Sequence, residues 1–76
     1  MPHVIVKLTA GRSEEMKQAL AQKLAEALTT TIGCGAEVVS VAIEDVPIAD
    51  WTEAVYIPEI EPQFDRLYIK PGYGRA

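Results

Sequence analysis

Two short runs of alternating β-branched residues flank one long amphipathic stretch, and this order constrains the fold more than any other feature of the chain. His3 to Leu8 alternates as a strand does, with Val4, Val6 and Leu8 on one face and His3, Ile5 and Lys7 on the other. Thr9-Ala10-Gly11-Arg12 breaks the pattern. Ser13 then stands as a helix N-cap, with Glu14 and Glu15 in the first turn where the helix dipole favours acids. A full capping box is absent, because Met16 occupies the place of the returning Glu or Gln. From Glu14 to Ile32 the residues Met16, Leu20, Leu24, Leu28 and Ile32 form a helical stripe with Ala19 and Ala27 beside it. Gly33 and Gly35, flanking Cys34, supply the stop. Val38 to Ile43 reads as the second strand. Connection rules make two such strands parallel and the crossover right-handed, which predicts an α/β fold built on a β-α-β unit.

Two strands and one helix cannot close a core alone, and the chain has little else with which to close one. At 76 residues and 8.3 kDa, a single domain over 1–76 buries only about 60% of the surface its unfolded form exposes. One cysteine allows no intrachain disulfide, and one histidine with it makes no zinc site of the Cys/His type. Oligomerisation is the remaining staple. Charge narrows the partners. The net charge of −4 argues against a nucleic-acid surface. Residues 1–36 carry four basic and three acidic groups, so the acids concentrate beyond them. No apolar stretch approaches the roughly 20 residues of a membrane span. MPHVIVKL lacks the n- and h-regions of a signal peptide, which predicts a cytoplasmic protein.

Beyond Pro47 the patterning weakens. Asp50 caps a short turn from Trp51 to Tyr56, Pro58 interrupts it, and Pro62 opens another helix to about Ile69. Lys70-Pro71-Gly72-Tyr73-Gly74 reads as a stop and a loose tail, and Glu59, Glu61 and Asp65 as a solvated face.

The residues carry no phosphate loop, Ser/His/Asp arrangement or metal-ligand cluster. The amino terminus itself is the chemical candidate. Removal of Met1, expected before a small residue, leaves Pro2 with a secondary amine. An α-amino group titrates at about 7.7–8.0, and burial beside a cation lowers that toward neutrality, which suits a general base. Read alone, Met-Pro is also an ordinary start. Arg12, between strand and helix N-terminus, suits a carboxylate or is an exposed loop arginine. Trp51, the one tryptophan, is core, interface or a lid over an apolar substrate. His3 and Cys34 read as structural.

Pro2, the Gly11-Arg12-Ser13 opening of the long helix and the β-α-β pattern together resemble the 4-oxalocrotonate tautomerase family. The resemblance covers residues 2 to about 51. The later residues Trp51, Glu59-Ile60, Pro62-Gln63 and Lys70-Pro71-Gly72-Tyr73 resemble its small dimeric branch. The resemblance implies an enol–keto tautomerase in which Pro2 is the general acid/base, Arg12 binds the substrate carboxylate and Trp51 forms an apolar wall. It implies a homodimer whose two subunits share a four-stranded sheet with helices on one face, acting on a small enol or keto acid. No metal or organic cofactor is expected, because a positioned amine and a cation suffice for this proton transfer.

One departure matters. Hexameric members place a second arginine where this chain has Ser40. A serine offers no charged fork, so a dicarboxylate is expected to bind poorly and a monoacid with an apolar tail, such as phenylenolpyruvate, to fit better. Arg66, Lys70 and Arg75 are the candidates to replace it. The alternatives are a hydratase or dehalogenase of unsaturated acids on the same scaffold, or a non-catalytic dimeric interaction protein with a vestigial Pro2.

Overall fold

The computed structural model of the chain describes residues 1–74. Strand β1 (His3–Thr9), helix α1 (Glu14–Ile32) and strand β2 (Ser40–Val46) form the β-α-β unit. The strands are parallel, with His3 opposite Ser40 and Thr9 opposite Val46. Ser13 caps α1 through its hydroxyl, which accepts the Met16 N–H at 3.2 Å. Gly33 ends the helix at φ 76°, a left-handed conformation that suits glycine, and donates its N–H to the Thr29 carbonyl.

β2 starts two residues later than the alternation from Val38 suggests. Ala36–Val38 instead forms a 3-10 turn, in which the Val39 N–H reaches the Ala36 carbonyl at 3.2 Å. β2 then runs on through Glu44 and Asp45 to Val46, because β1 offers a partner at each step. Charged residues at the strand end hid that continuation.

The buried stripe of α1 is also rotated from the expected one. Leu20, Leu24 and Leu28 are half-buried together with Lys17, Ala21 and Ala25, whereas Met16, Ala19, Ala27 and Ile32 are exposed. Lys17 lies on the side that faces the sheet: its ammonium bridges Asp45 of β2 and Glu14, each at 2.7 Å, and ties that side of the helix to the strand. Those two carboxylates, Asp45 first, raise the Lys17 pKa above its ordinary 10.5.

Past β2 come a 3-10 turn (Ile48–Asp50), a wide π-helix (Thr52–Ile60) and a 3-10 segment (Glu61–Arg66). Pro58 does not interrupt the helix; it lies inside it. An α-turn would drive the proline ring into the carbonyl four residues back, and the wider π-turn relieves that contact, as the bond from the Glu61 N–H to the Tyr56 carbonyl illustrates. Pro62 opens the last segment as expected, but the segment ends at Arg66 where Leu67 turns extended. The most buried described side chains, Val55 (5% exposed) and Phe64 (7%), come from these two segments, and α1 contributes none as deeply buried.

Candidate active site

Arg12 is presented by a turn that only glycine makes comfortably. Gly11 has φ 127°, outside the usual range of other residues, and swings the chain from β1 toward Ser13. The Arg12 guanidinium folds back on the strand end, donating through Nη1 to the Thr9 carbonyl (2.6 Å) and to Thr9 Oγ1 (3.0 Å). It borders a cavity of about 240 Å³ with Leu8, Met16, Lys17 and Leu20. Lys17 is already held by Asp45 and Glu14, so Arg12 is the cation this apolar hollow offers to an acid with an apolar body.

Pro2 is half-buried at the opposite end of β1. Its carbonyl accepts the Ser40 N–H at 3.2 Å. Next to it, His3 Nδ1 and Ser40 Oγ are 2.6 Å apart. Met1 is 95% exposed. β1 has seven residues, and a parallel strand rises about 3.3 Å per residue, so Pro2 and Arg12 of one chain stand about 20 Å apart. One chain therefore does not bring these two residues together.

Trp51 follows β2, at the Arg12 end of the sheet. It is half-buried, and its indole N–H donates to Tyr73 Oη at 3.2 Å. The Tyr73 ring lies 6.0 Å from that of Tyr56, tilted by 46°. The stretch read as a loose tail is thus attached, through Tyr73, to the aromatic side chain expected to wall the site.

A family profile described as "Tautomerase enzyme" matches residues 2–56, well over half of the chain. The chain belongs to the tautomerase family. It is 49% identical over 75 residues to a probable tautomerase of Xylella fastidiosa, covering 99% of this chain and 92% of that one. It is 39% identical over 74 residues to tautomerase PptA of Pectobacterium carotovorum, covering 96% and 97%. Among solved structures, TomN, a 4-oxalocrotonate tautomerase homologue in the tomaymycin biosynthetic pathway, superposes with a TM-score of 0.65 at 30% identity over 84% of this chain and 95% of that one. A 4-oxalocrotonate tautomerase isozyme from Methylibium petroleiphilum gives 0.59 at 39% identity over 60% and 74%. These neighbours share the β-α-β fold.

In this tautomerase several other residues lie elsewhere than the sequence suggests. Glu59 is no mere solvated acid: it forms an ion pair with Lys7 from the π-helix, and this bond raises the Lys7 pKa above its ordinary 10.5. Lys7 and Glu59 share a second cavity, about 290 Å³, with Ile5, Val55, Ile60 and Leu67. Lys70 is turned onto the Leu67 carbonyl at 3.4 Å, Arg66 closes the last 3-10 segment, and Arg75 lies outside the described residues. A wide furrow of about 600 Å³ along Glu15, Gln18, Ala19 and Gln22 touches none of the candidate residues. Among the described residues no cluster of His, Cys, Asp and Glu side chains suits a metal ion, and no helix is long and apolar enough to cross a membrane.

The cross-strand pair of His3 and Ser40 was missed in the sequence. Its signal was present: each residue starts its strand, and aligning the two starts in parallel register sets them opposite one another. Placing the second strand's start at Val38 hid it.

Proposed function

We propose that the chain is an enol–keto tautomerase for monoacids such as phenylenolpyruvate, working as a homodimer with composite sites. Pro2 of one subunit takes the enolic hydroxyl proton and returns it at C3, while Arg12 of the other subunit holds the carboxylate and Trp51 supplies an apolar wall. The observation that carries this reading is the length of β1: about 20 Å between Pro2 and Arg12 exceeds the reach of a small acid, so the two meet on one substrate only across a subunit interface. A neighbour's cation near Pro2 also serves the chemistry, because it lowers the pKa of the amine toward the working range.

Ser40 supports the monoacid. It stands opposite His3, and its N–H is bonded to Pro2 itself, so whatever side chain occupies position 40 borders the reacting end of the sheet. An uncharged hydroxyl there leaves the far carboxylate of a dicarboxylic enol without a counter-charge.

The test is ketonisation of phenylenolpyruvate against 2-hydroxymuconate, followed by ultraviolet absorbance on protein confirmed by intact mass to begin at Pro2. The expected result is a higher kcat/KM for the aromatic monoacid. A preference for the dicarboxylate contradicts the role given to Ser40, and activity on neither contradicts the tautomerase reading.

A further inference from the structure

At the Pro2 end of the sheet three residues are tied together, and His3 is the one among them without a role so far. The Ser40 N–H holds the Pro2 carbonyl at 3.2 Å, while the Ser40 hydroxyl meets His3 Nδ1 at 2.6 Å. We propose that His3 is a further catalytic residue, donating a hydrogen bond from Nε2 to the C2 oxygen of the enol, and that Ser40 is its positioning residue. The proposal rests on the tautomerase reading above.

A neutral imidazole has one N–H and one acceptor nitrogen, and the partner of one nitrogen decides which is which. A serine hydroxyl can donate to Nδ1 or accept from it; in this proposal the Ser40 hydroxyl is the donor, which leaves the ring proton on Nε2. His3 is exposed, so that edge of the ring is open to a ligand. Pro2 and His3 are neighbours in the chain, with Cα atoms about 3.8 Å apart, so the amine and the imidazole both border the same end of the sheet, where one small molecule can meet both.

The chemistry gives such a donor a task. When Pro2 takes the enolic proton, the C2 oxygen is left with the charge of an enolate. The same proton then goes from the Pro2 nitrogen to C3, and the C2 carbonyl forms. His3 keeps its own proton throughout, so no proton is gained or lost. Its hydrogen bond strengthens as charge builds on the oxygen, an interaction that raises kcat more than it lowers KM. Arg12 grips a carboxylate whose charge is the same before and during the reaction, and so acts on KM.

Steady-state ketonisation of phenylenolpyruvate by protein beginning at Pro2 separates these roles. We expect His3→Phe to lower kcat by about 10- to 100-fold, the loss of one hydrogen bond to a charged oxygen, and to move KM by less than about threefold. His3→Gln, whose amide reaches the place of Nε2, restores much of the rate, and His3→Asn, whose amide reaches only that of Nδ1, does not. Gln and Asn are small and polar, so this comparison stands even where the Phe variant fails to fold. Nitrogen NMR of the wild type is expected to find the His3 ring proton on Nε2, and Ser40→Ala to mix the tautomers. A kcat within about twofold of wild type in both His3→Phe and His3→Asn, or a proton resident on Nδ1, overturns the proposal. An inactive wild type, or a Pro2→Ala variant with full rate, removes the underlying reading; an active wild type that depends on Pro2 but not on His3 removes this inference alone.

Discussion

The nitrogen of Pro2 is an amide, with no basicity, for as long as Met1 is attached. Acid/base chemistry at Pro2 therefore depends on cleaving one bond at a residue that the fold leaves exposed. Loss of a positioned acid/base group costs about 10²- to 10⁴-fold in rate. Because Pro2→Ala leaves a primary amine, a drop in kcat near 10²-fold is expected, and a chain that retains Met1 should fall further. For Arg12→Ala, loss of charge-assisted hydrogen bonds worth about 1.5–3 kcal/mol predicts a KM raised about 10- to 100-fold. Steady-state kinetics on the two variants check both. At this scale residue type and place single out Pro2, Arg12 and Trp51 as candidates, and the roles expected of them come from the family resemblance alone. His3 and Ser40 are legible only once strand register is known, since neither residue type is rare at a strand start. Tyr73 is legible only once the tail is seen to fold back, a contact made 22 residues from Trp51.

The elements fall into two groups that differ in how plainly their residues announce them. β1 and α1 match expectation in type and nearly in their ends, because alternation and a capped stripe are local signals. The start and end of β2 depend on its partner strand, and the face that α1 buries includes the Lys17 paired with Asp45, a charged residue that hydrophobic periodicity places outside, so neither follows from periodicity alone. Lys17 also makes the fold sensitive to alkali. A lysine whose pKa is raised on folding contributes stability that is complete below 10.5 and is lost as pH climbs through the higher folded value. Urea melts of Lys17→Met should accordingly lack part of the decline that the wild type shows above that pH. The C-terminal segments carry the tightest packing. Phe64→Ala is expected to destabilise the protein by about 3 kcal/mol, as large-to-small core changes do, against well under 1 kcal/mol for an exposed apolar residue such as Ile48 changed to Ala. Urea midpoints of the two variants give the comparison.

As a whole the single chain is too open for its mass. Its accessible surface is 5722 Å², where a compact protein of this size shows about 4,600 Å². Its radius of gyration is 14.1 Å, against about 11 Å for a compact domain. The excess area, about 1,100 Å², is what each partner contributes to a standard-size interface or slightly more. Tyr68 and Ile69 are almost wholly exposed, and Ile5 and Met16 largely so, as faces that another subunit would cover. The composite sites of the proposed homodimer make that pairing testable. Pro2→Ala and Arg12→Ala proteins, each impaired alone, should recover about a quarter of wild-type activity when unfolded together and refolded, because half the dimers are mixed and each mixed dimer has one intact site. Sites contained within single chains would give no recovery. The seating of Tyr73 on Trp51 has an optical consequence. The only indole in the sequence donates its N–H to Tyr73, so its fluorescence reports where the Tyr73 segment sits: lifting that segment hands the indole N–H to water and shifts the emission to the red, a built-in readout of whether this aromatic contact is latched or open.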